Sequence, residues 1–241
     1  LLIADMENTL QVVQVNPPNS QQEKLLFVEA ERSLDLLARG LEISSLNLVR
    51  QWLEQAPTPF LRGYAFHQCA NWVLDGYEEM LAPLLAADIT ADLPEIQRAY
   101  GRALVKTATR SARKTELVRQ IVVRLEELLD IPATQVHVGV AAFRKLMQPD
   151  LLRPVDLELW QPALLRAAAH QQASVQRSVL YALRALRPVD QTLMNLRPDA
   201  WQILRTILAT PSDGDGWVLQ DMAGLLRDIA QVLSENHVSI R

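Results

Sequence analysis

Ser174-Val-Gln-Arg-Ser-Val-Leu-Tyr-Ala-Leu-Arg-Ala-Leu186 is the stretch whose reading decides the fold, because its layout returns along most of the chain. With Val175 as position 0, Val179 stands at +4 and Leu183 at +8, and Arg177 stands at +2. The layout starts again at Ile96, with Arg98, Tyr100 and Leu104, and at Phe60, with Arg62 and Tyr64. Looser copies start at Val136, with Val140, and at Val218, with Met222 and Leu226. Successive starts lie 36, 40, 39 and 43 residues apart. Apolar residues four apart share one face of a helix. A period of about 40 residues marks stacked helix pairs, each of which buries its apolar face only against its neighbours.

Composition agrees. Leu and Ala dominate and aromatics are few, which favours helix over sheet. No alternating Val/Ile/Thr run demands a strand. Cys69 is alone, so the chain can form no internal disulfide and no cysteine metal site, which points to a reducing, intracellular setting, cytoplasmic or, in a eukaryote, nuclear. No apolar run reaches the roughly 20 residues of a membrane span. The chain opens at Leu1 rather than Met, which invites a reading as part of something longer.

Residues 1–15 are predicted as an amphipathic helix (Leu2, Met6, Leu10, Val13), broken by Pro17-Pro18, so that 1–21 caps the array. Repeats then run over 22–235 and leave a tail at 236–241, the whole of 1–241 forming one solenoid domain. Ser44 or Ser45 is the predicted cap of a helix ending at Gln55, and Thr58-Pro59 starts the next. Asp92-Leu-Pro-Glu95 reads as a capping box. Leu152-Arg-Pro-Val-Asp156 and Leu186-Arg-Pro-Val-Asp190 are identical, and Leu196-Arg-Pro-Asp199 nearly repeats them; each ends one helix at proline and lets aspartate open another. Trp160 and Trp201 follow such segments and are expected to plug the gaps between units.

On these residues the chain resembles the HEAT-repeat family, within the armadillo-type superhelices. Arg62, Arg98 and Arg177 fall where that family often carries an arginine near the start of the second helix, whereas Val138 and Gln220 stand at that position in the other units. The resemblance implies an all-α, right-handed α-α superhelix of about five to six helix pairs. It also implies second helices lining a concave surface, and protein binding rather than a reaction.

On a wheel advancing 100° per residue, positions +2, +6, +10 and +9 lie at about 200°, 240°, 280° and 180°, away from a core centred near positions 0, +4 and +8. The outward set comprises Arg62, Phe66, Arg98, Arg102, Lys106, Lys145, Arg177, Tyr181 and Arg184, together with Ala142 and Arg227. Arginine offers a planar fork to carboxylate or phosphate and aromatics offer rigid area, which suits an acidic peptide or helix. From Arg98 to Arg124 eight basic residues face one acid, Glu116, giving +7 in a chain of net −4 and leaving −11 elsewhere.

Catalytic patterns are absent. His67, His137, His170 and His237 are scattered. Asp213-Gly-Asp-Gly216 opens like a calcium loop, yet Gly224 stands where the bidentate glutamate belongs, so it reads as a turn. No phosphate loop, nucleophile elbow or zinc-protease motif occurs. The sequence therefore predicts a non-enzymatic scaffold or adaptor with no metal, no cofactor and no membrane insertion, whose concave groove holds an acidic partner. A helical-repeat nucleic-acid binder and the sensor or regulatory arm of a larger multidomain protein are the alternatives.

Overall fold

The computed structural model describes residues 42–56, 59–108, 114–148, 157–185 and 198–235. The predicted helices over 1–15 and 22–39, the Pro17-Pro18 break, both Leu-Arg-Pro-Val-Asp segments and the tail lie outside them. Every regular element among the described residues is helical, and the one extended contact is an isolated bridge between Gln172 and Asp213. The chain divides into two compact units, Leu1–Ala65 and Phe66–Arg241.

The first unit contains α1 (Glu42–Gln55) and the opening of α2 (Pro59–Leu74). Helix α1 buries Val49, Trp52 and Leu53, and the Arg62 guanidinium of α2 donates to the Glu54 carbonyl (2.9 Å). Both ends read from the sequence hold, at Gln55 and at Pro59, but Ser44 and Ser45 lie inside α1 rather than capping it.

In the second unit the end of α2 turns at Gly76, whose φ of +105° is open to glycine at little cost. A 3-10 turn at Glu78–Met80 leads into the short α3 (Leu81–Ala86). There follow α4 (Pro94–Thr107), α5 (Lys114–Asp130), α6 (Gln135–Leu146), α7 (Leu157–Ala168), α8 (Ala173–Ala185), α9 (Pro198–Ala209) and α10 (Asp215–Glu235). Helix α4 does not start on a capping box. Pro94 takes the first helical position, Leu93 becomes the cap residue with no side-chain bond, and Glu95 turns to Arg98 instead.

Packing sorts these helices into two rows. Helix α4 packs on α6, α6 on α8 and α8 on α10; α5 packs on α7 and α7 on α9. Contacts of α5 with α6 and of α8 with α7 and α9 join the rows. Hydrogen bonds about one period apart stitch neighbours: Gln161 to Gln202 (2.9 Å) and Arg166 to Asp130 (2.6 Å) on one row, Tyr181 to Asp221 (3.1 Å) on the other. Trp160 is fully buried and Trp201 half-buried.

The layout is in phase in α4 and α8, where Ile96, Tyr100 and Leu104, and Val175, Val179 and Leu183, are all buried; in α10 it holds at Val218 and Met222, but Leu226 at +8 is exposed and its neighbour Leu225 is buried instead. In α6 it is out of phase. Val136 and Val140 are half-exposed, while Val138, Ala142 and Phe143 are fully buried, so the true position 0 is Thr134. Threonine is tolerated there because its hydroxyl donates to the Leu128 carbonyl (2.8 Å). A pattern read from apolar residues alone passes over it to the next valine. Glutamine carries a second recurring feature. At position +1, Gln97 donates its amide to the Ile89 carbonyl (3.1 Å), and Gln176 donates to Ala168 (3.1 Å) and to Thr210 of the next helix pair (3.0 Å). Both side chains are buried, and each ties the start of its helix to the turn before it.

The tightest crossing is between α4 and α6. A Cβ on Gly101 would lie 2.8 Å from the Val138 carbonyl oxygen and 3.4 Å from the Ala142 nitrogen, both backbone atoms. One on Gly139 would lie 2.9 Å from a Leu129 methyl and 3.4 Å from Val175. At Gly224 of α10 nothing lies within 4 Å. Alanine gains up to about 1 kcal/mol over glycine in a helix interior, and forcing a methyl into a packed contact costs about 1–3 kcal/mol. Gly101→Ala is therefore expected to lower the urea midpoint by the equivalent of about 1–2 kcal/mol at unchanged slope, while Gly224→Ala raises it. Equal responses from the two would refute the close crossing.

Candidate functional site

Burial of Ile96, Tyr100, Gly101, Leu104 and their neighbours in α4 leaves Arg98, Arg102 and Lys106 on one stripe of successive turns. Each side chain has a distinct setting. Arg98 donates to the Glu95 carboxylate (2.8 Å) and lies 3.3 Å from Nδ1 of His137 on α6. The pair with Glu95 is well exposed and contributes no more than about 1 kcal/mol. Lys106 donates to the Asn71 side-chain oxygen (2.5 Å) and lies 3.4 Å from Nε2 of His67. Arg102 is exposed and meets no carboxylate among the described residues.

Lys145 of α6 joins this stripe. It is half-buried, donates to the Gln148 side chain (2.5 Å), and likewise meets no carboxylate among the described residues. Burial first, and the positive charge of Arg102 second, hold its ammonium pKa below the ordinary lysine value. Two cations from adjacent helices thus press on one another without an acid between them.

The other residues of the predicted surface lie elsewhere or face inward. Phe66 corrects the expectation of an outward aromatic: it is fully buried and packs on Tyr100 with ring centroids 4.8 Å apart. Its helix is apolar on nearly every side, so the wheel position did not decide its exposure. Ala142 is likewise buried, a consequence of the phase of α6. Arg62 lies in the first unit, bound to Glu54.

Arg177, Tyr181 and Arg184 are committed within the chain. Arg177 donates to Asp221 (2.6 Å) and to the Tyr181 hydroxyl (3.0 Å), and its guanidinium lies over the rings of Tyr181 (5.9 Å) and Trp217 (5.7 Å). The bond to Asp221 chiefly raises its pKa. Arg184 donates to Asp228 (2.6 Å). A signal for this was present in the sequence: arginines seven apart in α8 are matched by aspartates seven apart in α10, 44 residues later.

The remaining basic cluster thins similarly. Arg124 bonds Glu127 (2.8 Å), the Ala87 carbonyl (2.8 Å) and the Tyr100 hydroxyl (3.4 Å), and serves to hold α3, α4 and α5 together. Arg119 pairs with Glu116 (3.8 Å), and Arg110 and Arg113 lie outside the described residues. Asp213 sits in a turn with Gly214 at φ +116°, and its carboxylate accepts from the Ala173 amide (2.9 Å) at the start of α8. Among the described residues no three His, Cys, Asp or Glu side chains converge as a metal site, and no helix is long and apolar enough to cross a membrane.

Comparison with models of known families, with curated proteins and with solved structures finds no match.

The Arg102–Lys145 proximity is directly measurable. Arg102→Met is expected to move the NMR titration midpoint of the Lys145 ammonium upward, short of the ordinary lysine value because burial persists. A midpoint that stays put would mean the two cations do not sense one another.

Proposed function

We propose that this protein is a non-enzymatic, intracellular adaptor whose HEAT-like helix pairs form a right-handed α-α superhelix. In it the row α4–α6–α8–α10 forms the inner surface, and the α4/α6 stripe holds an acidic segment of a partner protein. The observation that carries the reading is the pairing of Arg102 with Lys145 where neither meets a carboxylate among the described residues, flanked on one stripe by Arg98 and Lys106. Cations at i, i+4 and i+8 of a helix are spaced by roughly 6 Å per step. That spacing fits carboxylates on alternate residues of an extended segment or on successive turns of an acidic helix. The stripe is therefore centred on α4 and α6 rather than running the length of the row, since Arg177 and Arg184 already hold Asp221 and Asp228.

The test uses a fluorescein-labelled twelve-residue oligoglutamate and the triple reversal Arg98→Glu, Arg102→Glu and Lys145→Glu. The native chain is expected to bind the peptide, and the reversal to weaken it by about tenfold or more while the melting temperature holds, because exposed charges carry little stability. Binding that survives the reversal would refute the stripe. Preference for an oligonucleotide of equal charge, with a steep decline in salt, would replace the acidic peptide by nucleic acid.

A further inference from the structure

Counted from Ile96, Thr134, Val175 and Val218, two junctions of the row α4–α6–α8–α10 are joined through the same pair of positions. Between α8 and α10, Arg177 at +2 donates to Asp221 at +3 (2.6 Å). Between α4 and α6, Arg98 at +2 meets His137 at +3, its Nη1 lying 3.3 Å from the ring Nδ1. Helix α6 carries Val136 at +2, so the junction between them has no arginine at that position. His137 therefore stands where the later junction has an aspartate. A carboxylate keeps its charge across neutral pH and fastens an arginine there, whereas an imidazole changes charge within that range.

The contact fixes the state of the ring. A guanidinium only donates, so the Nδ1 that faces Arg98 offers a lone pair and the ring is neutral, with its proton on Nε2. A proton added at Nδ1 sets donor against donor and positive charge against positive charge. Arg98 then loses its partner on α6 and keeps Glu95 on Nη2 (2.8 Å), a well-exposed carboxylate that contributes little hold.

No acid stands by to absorb the new charge. Helix α8 carries no carboxylate. Of the acids that end α5, Glu127 is held by Arg124 and Asp130 by Arg166, and Glu126 makes no bond to the ring. The other charged groups on this side are Arg102 of α4 and Lys145, two turns further along α6, and both are cations. Half-buried His137 thus borders the stripe on its own row, with Arg98 as its one bonded neighbour among the described residues.

We propose that His137 makes capture of the acidic partner proton-dependent: on taking a proton, its ring releases Arg98 into the stripe and adds a positive charge beside it. The inference rests on the α4/α6 stripe being the partner's site. His137 is a positioning residue, acting through Arg98. Linkage makes the coupling reciprocal, so the bound partner favours the protonated ring and association near neutral pH takes up protons.

The test titrates a rhodamine-labelled oligoglutamate against the full chain at about pH 8 and about pH 6 at fixed ionic strength, a range over which glutamate stays ionised. The native chain is expected to bind about threefold or more tightly at the lower pH, the effect of one added neighbouring charge at a half-exposed site. His137→Gln keeps an acceptor for Arg98 and cannot be protonated, so its affinities at the two pH values should agree. His137→Asp rebuilds the pair seen at Arg177 and Asp221, and should weaken the peptide by about threefold or more at both. Calorimetry in buffers of different ionisation enthalpy should register proton uptake with the native chain and lose it with His137→Gln. A readout without peptide separates the device from the site: the guanidinium NMR signal of Arg98 should shift between the two pH values in the native chain and hold still in His137→Gln. The proposal fails if His137→Gln keeps the native pH ratio, if His67→Gln or His170→Gln abolishes it instead, or if the Arg98 signal ignores pH. Absence of peptide binding at both pH values ends the acidic-partner reading and the coupling with it, while the Arg98 signal still decides whether His137 gates that arginine.

Discussion

The second unit rests on one backbone-to-backbone crossing. At Gly101 the axis of α4 comes so near α6 that any side chain would meet the Val138 carbonyl oxygen, an atom with no freedom to move aside. Gly139 repeats the device one helix later, facing Leu129 and Val175. A glycine in a helix costs about 1 kcal/mol against alanine, so two of them in consecutive members of a row are a local penalty. Close approach returns more than that, because helices in near contact exclude water along their length and place every later residue of the crossing within packing distance. Spacing within the row then sets where the polar side chains fall.

Once that spacing is set, side chains one period apart meet, and the two ends of the row use the meeting differently. Between α8 and α10 arginine acts as internal fastening. Arg177 is bonded to Asp221 and Tyr181 and lies over two aromatic rings, and Arg184 is bonded to Asp228. Exposed pairs contribute little singly, but several partners on one guanidinium hold a geometry that a lone pair does not. Around α4 the contacts include imidazole and amide groups, Arg98 meeting His137 of α6 and Lys106 meeting Asn71 and His67 of α2. Those groups orient a cation without cancelling its charge when the imidazole is neutral.

Residues that bury themselves were the legible part of this fold. Ile96 and Val175, with their +4 and +8 partners, placed two helices in the correct phase from the sequence, Val218 and Met222 did so for the start of α10 although Leu226 at +8 is exposed, and Gln55, Pro59 and Gly76 marked ends correctly. Thr134 and Gln176 were not legible, because each is a polar residue occupying a core position whose hydrogen bonds are local carbonyls. Periodicity weighs such residues as surface. Phe66 was misplaced for the opposite reason: α2 is apolar on nearly all sides, so its wheel has no solvent face to assign. Of the candidate surface, Arg98, Arg102 and Lys106 follow from helical spacing alone. The commitment of Arg177 and Arg184 depends on acids 44 residues away, visible only when the two helices are laid side by side.

The contrast between the two junctions bears on what α4 and α6 are for. Placing like charges together is unfavourable, and burial makes it more so for a lysine than for a surface arginine. Lys145 bears both penalties, burial first and the charge of Arg102 second, and both lower its pKa. The remedy is present two helices along, where aspartates on the succeeding helix answer each arginine. A chain of net −4 has carboxylates to spare, yet none among the described residues is placed at Arg102 and Lys145. An anion placed beside the two cations would offset their mutual repulsion. That contrast, rather than the number of basic residues nearby, is why the proposed acidic partner is assigned to this place on the row.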